Sequence, residues 1–447
     1  MQLLHLTRTL TDLHAKSHVS HPFELPAGTT RLQAELVYSP VSVEGRAGTN
    51  LLSLSLFDPH GCRGAGHCRW PNVIDLSAVA ATPGYVRGDL TPGMWDVTID
   101  VHMILGGTQV EYTLTVTASS DPIEGVAPQY HPGTTSKRGP GWYRGDLHGH
   151  TIHSDASWDV PDFLVGAMAA GLDFVTLSDH NTISPLAQWD SLTSDAILTM
   201  GGMELTTYRG HALALGLREW IDWRTQHGRT MPQIAEEVMA KGGTFIIAHP
   251  KSIGDPECTG CDWRYEDMMP GNARIVELWN GVEWEPYCED GLQLWYSWLN
   301  QGHRLAGTSG TDTHGPDPLY PKGGFNHVYA EERTEAAILK AIQQGHNYVS
   351  NGPKLELNAV GASGQRVMMG DELPDEAASV VCQWREVPAG GRLRFMVQGQ
   401  VREELLVEGA GERTWSLTAG ECRWCAIEVR NADGLICAVT NPIFFAR

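Results

Sequence analysis

Histidines and carboxylates recur at the ends of short apolar runs between residues 142 and 353, and this recurrence constrains the chain more than any other feature. The runs Phe174-Val175-Thr176-Leu177, Thr244-Phe245-Ile246-Ile247-Ala248, Arg274-Ile275-Val276-Glu277-Leu278 and Arg304-Leu305-Ala306-Gly307-Thr308 are of the buried parallel-strand kind. Helical patterns separate them at 162–170, 232–240, 290–300 and 334–343. Strand, loop and helix in alternation predict an α/β barrel or open α/β layer over residues 142–353.

The flanks read differently. Residues 22–118 hold short alternating apolar runs separated by turn signals such as Asp58-Pro59-His60-Gly61 and Thr91-Pro92-Gly93. Strands at that spacing, without a helical period, predict an antiparallel sandwich or jelly roll. Residues 121–142 then collect Pro122, Pro128, Pro132, Gly133, Gly139, Pro140 and Gly141, which reads as a linker. The first domain is therefore set at 1–141. Residues 354–447 return to short strands, with turns at Gly390-Gly391 and Asp433-Gly434, and read as a small second β-domain.

Composition excludes several functions. With 42% apolar and 19% charged residues, the 447-residue chain can bury sizeable cores. A formal charge of −21 argues against a surface for nucleic-acid phosphates or acidic lipids. The opening Met1-Gln2-Leu3-Leu4-His5 lacks a basic region followed by an apolar one, and no apolar stretch is long enough for a membrane span, so a cytoplasmic protein is expected. Nine cysteines in so long a chain do not resemble a disulfide framework. The C-x-x-C pairs Cys258/Cys261 and Cys422/Cys425 can be read as structural zinc ligands or as ordinary thiols; the second reading is preferred.

The chemistry lies at the strand ends. Asp146-Leu147-His148-Gly149-His150 ends the first run, and Ser154-Asp155 follows it. An H-x-H on extended backbone places both imidazoles on one face, because side chains alternate with period two. Ser178-Asp179-His180 ends the second run, Met203-Glu204 lies in the third, Ala248-His249-Pro250 closes the next, and Thr311-Asp312-Thr313-His314 ends a later one. Any one of these has an ordinary structural reading as a satisfied core or surface residue. Jointly they deliver nitrogen and oxygen ligands to one rim, where packing has no general need of them. The set His148, His150, Asp155, His180, Glu204, His249, Asp312 and His314 is too large for one tetrahedral ion and implies two or three clustered divalent cations, with Glu204 bridging a pair. Imidazole plus carboxylate suits zinc, manganese, iron or nickel.

These motifs, in this order, resemble those of the PHP (polymerase and histidinol phosphatase) superfamily over about 143–353. Ser178-Asp179-His180-Asn181-Thr182, Gly202-Met203-Glu204-Leu205-Thr206, Glu277-Leu278-Trp279-Asn280-Gly281 and Ser309-Gly310-Thr311-Asp312-Thr313-His314-Gly315 are similar to the branch that includes carbaryl hydrolases. The resemblance implies a distorted (β/α)7 barrel with metals at its C-terminal rim. It implies one ion on His148, His150, Glu204 and Asp312, a second on Glu204 and His249, and a third on Asp155, His180 and His314. Many relatives carry a further histidine or cysteine where this chain reads Glu277-Leu278-Trp279-Asn280; either Glu277 or Asn280 substitutes, or the site holds one ion fewer.

The expected activity is hydrolysis by a metal-activated hydroxide, first of phosphomono- or phosphodiesters. The alternatives are carbamate or carboxyl-ester hydrolysis and a non-catalytic metal-binding module. Arg209 and His211 are candidate catalytic groups, Arg209 for a phosphate oxygen and His211 as acid or orienting group; a solvated surface arginine and a strand-capping histidine are the plain readings of the same residues. Asn280 is a candidate substrate contact. Trp158, Trp189, Trp279, Trp284 and Trp295 are either core residues or the lining of an aryl pocket. A small-molecule substrate is expected, and a homo-oligomer is compatible with the sequence.

Overall fold

The computed structural model describes residues 1–68, 72–136 and 138–446. The N-terminal strands are β1 (Gln2–Thr11), β2 (Ser17–Leu25), β3 (Arg31–Ser39), β4 (Leu51–Asp58), β5 (Gly61–Ala65), β6 (Val73–Ser77), β7 (Gly93–Met103) and β8 (Gln109–Ser119). They form two four-stranded sheets, β1-β8-β3-β6 and β2-β7-β4-β5. Strict alternation in β3 turns Leu32, Ala34, Leu36 and Tyr38 inward, where they meet Leu52, Leu54 and Leu56 of β4 and Val97, Ile99 and Val101 of β7. The other face of β4 and β7 is buried as well, and it is polar: Ser53, Ser55, Asp100 and His102. That face is covered because the sandwich lies on the following domain. Tyr208 Oη donates to the Ser17 carbonyl at 3.1 Å, and Thr182 Oγ1 donates to the Gly84 carbonyl at 2.7 Å.

The middle region is α/β. Its strands are β9 (Gly141–Asp146), β10 (Phe174–Leu177), β11 (Leu198–Thr207), β12 (Gly210–Leu215), β13 (Thr244–Ile247), β14 (Ile275–Asn280), β15 (Ala306–Gly310), β16 (Phe325–Ala330) and β17 (Asn347–Ser350). Its helices are α1 (Val160–Ala169), α2 (Leu186–Ser191), α3 (Met231–Ala240), α4 (Pro286–Asn300) and α5 (Glu335–Gln343). Strands β10 and β13 are buried at every position, as continuous apolar runs covered on both faces should be. The start of α3 is fixed by a reciprocal cap: Gln233 N donates to Thr230 Oγ1, and Thr230 N donates to Gln233 Oε1 at 2.9 Å.

The sheet is mixed, and the four runs read as parallel strands each make a parallel pair. Pairs β9–β10, β10–β11, β13–β14 and β14–β15 are parallel, whereas β11–β12, β12–β13, β9–β16 and β16–β17 are antiparallel. Strand β12 is a hairpin return of β11 through Tyr208-Arg209, with Thr207 opposite Gly210. Gly210 has φ +146°, and a Cβ there would stand 2.5 Å from the Trp263 ring, so this turn needs glycine.

Among the described residues the ladder between β15 and its neighbours is incomplete. Between β15 and its neighbours β16 and β17, side-chain amides stand in for the ladder. Asn326 Oδ1 accepts from Ser309 N at 3.0 Å while its Nδ2 donates to Ser309 O at 2.7 Å. Asn441 Oδ1 accepts from Gly307 N at 2.6 Å, and Asn347 Nδ2 donates to Gly307 O at 2.8 Å. A carboxamide carries the same donor and acceptor as a peptide unit, so it can satisfy a strand edge without adding a strand. Beyond the ends of β9 and β15 the two segments touch directly: Asp312 N donates to His148 O at 3.0 Å and His150 N to Thr313 O at 3.1 Å. With nine strands, five α-helices and this side-chain seam among the described residues, the region is mixed α/β.

The C-terminal strands Lys354–Gly361, Ala378–Val397, Gln400–Leu417 and Trp424–Arg430 enclose their own apolar core. They are not detached, because Ile436–Thr440 pairs with β17 and extends the middle sheet. No helix among the described residues is long and apolar enough to cross a membrane. Replacing Asn441 by Ala leaves the Gly307 N–H buried without a partner, and urea unfolding should show a loss of about 1–3 kcal/mol; an unchanged midpoint would mean the seam does not depend on this amide.

Candidate metal centre

Two buried aspartates set the rim before any ligand is considered. Asp146, at the end of β9, accepts from Thr311 N at 3.0 Å, Thr311 Oγ1 at 2.5 Å and Tyr320 Oη at 3.1 Å, tying β9 to the segment after β15. Asp179, after β10, accepts from Thr151 N at 2.8 Å and from Thr151 Oγ1 and Ser154 Oγ at 2.6 Å each, which holds the loop that carries Asp155. Burial pushes both carboxyls up to about 6, against the pull of these donors. Close approach is built in at Gly310, where a Cβ would stand 2.2 Å from that of His148 and 2.3 Å from Glu277 Oε1. Asn181, His249 and Asp312 hold left-handed backbone at φ +55°, +26° and +52°, an arrangement that costs energy outside glycine and clusters at functional sites.

The side chains converge on Glu204, in β11. Its Oε2 lies 3.1 Å from His148 Nε2, 3.3 Å from His150 Nε2 and 2.9 Å from His180 Nδ1. Its Oε1 lies 2.9 Å from His211 Nδ1 and 3.2 Å from His249 Nε2. Asp312 Oδ1 joins the first group at 2.8 Å from His150 Nε2 and 3.3 Å from His148 Nε2. Beside it, Asp155 Oδ1 stands 3.2 Å from His314 Nε2 and 3.5 Å from His180 Nε2. Glu204 and the imidazoles of His148 and His150 are fully buried, while Asp155 and His314 open to a cavity of about 470 Å³.

The tautomers say what the centre is for. Carbonyl oxygens only accept, so His211 donates from Nε2 to Thr259 O at 3.1 Å, His249 from Nδ1 to Cys261 O at 3.2 Å, and His314 from Nδ1 to Asp312 O at 2.7 Å. His148 donates from Nδ1 to Glu277 Oε1 at 3.2 Å. Each ring spends its N–H outward and turns a lone pair toward a carboxylate oxygen. Two acceptors at about 3 Å repel unless a cation or a proton lies between them. An outer N–H held by a carbonyl or carboxylate is also how metal-bound imidazoles are oriented. Glu204 Oε2, His148 Nε2 and His150 Nδ1 are buried without a hydrogen-bond partner, so the centre is not satisfied by the protein alone. His148, His150, Glu204 and Asp312 form one group that can hold an ion, and His150, Asp155, His180 and His314 form another.

Electrostatics agree. Burial opposes charge on every member, yet the imidazoles around Glu204 and those around Asp312 hold these two carboxyls well below the usual carboxylate range. His148, His180 and His249 are raised against burial by the carboxylates they face. Asp155 and Asp312 push His314 up to about 10, while burial and the neighbouring His180 and His314 push His150 down to about 3. The carboxylates require positive charge between them, which protons supply only by charging rings that crowd one another.

The eight residues read from sequence as ligands are therefore brought to one place. Other expected residues are placed differently. Glu277 and Asn280 sit behind the ligands: Glu277 Oε2 accepts from His249 N at 3.0 Å and Asn280 Nδ2 at 3.1 Å, and Asn280 Nδ2 also lies 3.3 Å from Asp312 Oδ2. His211, expected to be an acid or orienting group, faces Glu204 as His249 does. Arg209 is exposed in the β11–β12 turn and lines a different cavity with Lys16, Arg229 and Arg264. Trp158, Trp189, Trp279, Trp284 and Trp295 are core residues, and none lines the metal-side cavity. Cys258 and Cys261 are paired as a disulfide at that cavity's wall. The sequence reading missed His67 and Cys68, which enter the cavity from the N-terminal domain; their only signal was adjacency of two ligand-type side chains beyond a short strand.

No family model and no curated protein matches the sequence. Among solved structures, the chain is similar to a two-domain protein from Bacteroides vulgatus containing a predicted PHP-like metal-dependent phosphoesterase, at 17% identity and a TM-score of 0.39, over 71% of this chain and 100% of that one. It is similar to a Bifidobacterium adolescentis protein assigned as a metal-dependent phosphoesterase, at 16% identity and TM-score 0.29, over 47% and 96% of the two chains. An amidohydrolase from Chromobacterium violaceum, with bound sulfate and no metal, aligns at 16% identity and TM-score 0.28, over 39% and 92%. Likenesses this loose carry no functional weight.

Replacing Glu204 by Gln removes the charge that both groups of imidazoles share and puts an amide N–H where a cation would sit. Bound divalent metal, measured by elemental analysis after gel filtration, should fall well below that of the parent protein while the far-ultraviolet circular dichroism stays unchanged. Full metal content in this variant would remove Glu204 from its bridging position.

Proposed function

We propose that this chain is a metal-dependent hydrolase of the PHP kind, acting on phosphoesters of small molecules. The observation that carries the reading is the shared carboxylate: five imidazoles face the two oxygens of one buried Glu204, and His148, His211 and His249 spend their N–H groups outward. Strands β9 to β15 are read as a distorted seven-stranded barrel of that kind, split at its base by β16.

His148, His150, Glu204 and Asp312 would hold one divalent ion, and Asp155, His180 and His314 another. Glu204, His211 and His249 would hold a further one, with His211 taking the place that the strand Ile275–Asn280 leaves without a histidine or cysteine. Zinc, manganese and iron all suit this donor set. Such ions, when bound, lower the pKa of water to near neutrality and neutralise charge on an attacked group. The protein's own part is positional. Glu277 fixes the tautomer of His148, Asn280 holds the second oxygen of Asp312, and Asp146 and Asp179 lock the two rim segments to the sheet. The cavity is open at Asp155 and His314, so substrate meets the centre from that side.

Phosphoester is preferred to aryl carbamate because the tryptophans that could have made an aryl pocket are buried in the core, leaving a cavity wall of imidazoles and carboxylates beside the aliphatic Leu51, Met103 and Pro256, with no aromatic platform for an aryl group among the described residues. The full chain loaded with manganese or zinc should hydrolyse p-nitrophenyl phosphate or bis-p-nitrophenyl phosphate and lose that activity on chelation. Turnover of 1-naphthyl N-methylcarbamate alone would move the assignment to carbamates. Turnover of none, with metal bound, would make the chain a binding module.

A further inference from the structure

The N-terminal sandwich brings ligand-type side chains to the metal side of the molecule. Beyond β5, Gly66 N donates to Leu54 O at 2.9 Å, which anchors the turn to β4. His67 and Cys68 follow, and Cys68 takes left-handed backbone at φ +48°. The His67 ring lies 4.4 Å from that of His180 and 5.0 Å from that of His102. Cys68 Sγ stands 3.2 Å from His67 Nε2. One ligand atom from each of His67, Cys68 and Asp155 falls within 4.8 Å of the others, and Asp155 is the carboxylate that also faces His180 and His314.

A second observation is independent of the cysteine. His67 is 6% exposed, lines the metal-side cavity, and its Nδ1 is buried without a hydrogen-bond partner. Its neighbour His102 is satisfied by Ser53 Oγ at 2.6 Å, so the open valence belongs to His67. The stability of a β-sandwich gains nothing from an imidazole held in this way.

We propose that His67 and Cys68 supply an imidazole and a thiolate to the cation anchored by Asp155, so that the N-terminal domain completes the metal centre. The proposal rests on the metal-centre reading above and adds to it a soft ligand from another domain. On binding, the Cys68 S–H bond breaks, its proton leaves to solvent, and both electrons remain on sulfur for the cation, with no change of oxidation state. A thiolate beside imidazole and carboxylate favours a zinc-class ion over manganese at this position.

Cobalt(II), added to the full-length apoprotein, tests this. The expected spectrum has ligand-field bands from the bound ion and a near-ultraviolet sulfur-to-cobalt charge-transfer band. That band should disappear in Cys68→Ser and persist when Cys258 and Cys261 are both replaced by Ser. Cobalt bound with ligand-field bands but no sulfur band overturns the proposal and leaves the imidazole–carboxylate centre standing. A sulfur band that survives Cys68→Ser, or that is lost with Cys258 and Cys261, also overturns it. No stoichiometric cobalt uptake overturns both readings. The parent protein gives a second measurement that needs no variant: iodoacetamide labelling of Cys68, followed by peptide mapping, should be lost on zinc loading. Labelling unchanged by zinc contradicts the proposal.

Discussion

A carboxylate buried beyond the reach of water, with five imidazoles around its oxygens and at least three of them turning lone pairs inward, cannot persist on the protein's own hydrogen bonds. Glu204 is in that position, and the rest of the middle domain is arranged around the need to bring positive charge to it. Isolated buried charge is costly by several kcal/mol, and a pair repays that cost only with close, well-directed partners. Protons on the rings would compete with one another across distances of 4–6 Å between ring centres. Divalent cations satisfy all the lone pairs at once.

The surrounding fold follows from that demand. Asp146 and Asp179 are not ligands; they bind backbone and hydroxyl donors and so fix the two segments that carry His148, His150 and Asp155. Three non-glycine residues in left-handed conformation lie among the ligands or beside them, and the hydrogen bonds of Asn181 to Thr206 show how one is held: Thr206 N donates to its Oδ1 at 2.9 Å and its Nδ2 donates to Thr206 O at 3.1 Å. The polar outer face of the N-terminal sandwich is covered by this same rim, which is why that face can bury Asp100 and His102 at all.

Much of the site was legible because strand ends are local. His148 and His150 needed only period-two alternation to share a face, and the Asp179-His180 and Asp312-x-His314 steps repeat the logic on other strands. What failed to show were relations between segments. The return strand β12 depends on a two-residue turn closed by Gly210, and the sequence offers Arg209 and His211 together as candidate catalytic groups; the hairpin instead leaves Arg209 exposed in the turn and puts His211 opposite Thr206. The seam along β15 uses Asn326, Asn347 and Asn441 as substitutes for peptide groups, a role that no local pattern announces. Five tryptophans near the ligand motifs have two readings, core or aryl pocket, and the structure takes the first, because large aromatics beside strand ends fill the space under the helices. His67 and Cys68 lie about 80 residues before the first ligand motif, in a sandwich whose own pattern accounts for it without them.

Anomalous scattering from crystals of the metal-loaded protein tests the central claim most directly. The account predicts strong peaks between Glu204 and the rings of His148, His150, His211 and His249, together with one beside Asp155, each vanishing after chelation. Imidazole nitrogens found hydrogen-bonded to Glu204 and Asp312 with no peak among them, under conditions where the protein binds metal elsewhere, would contradict it.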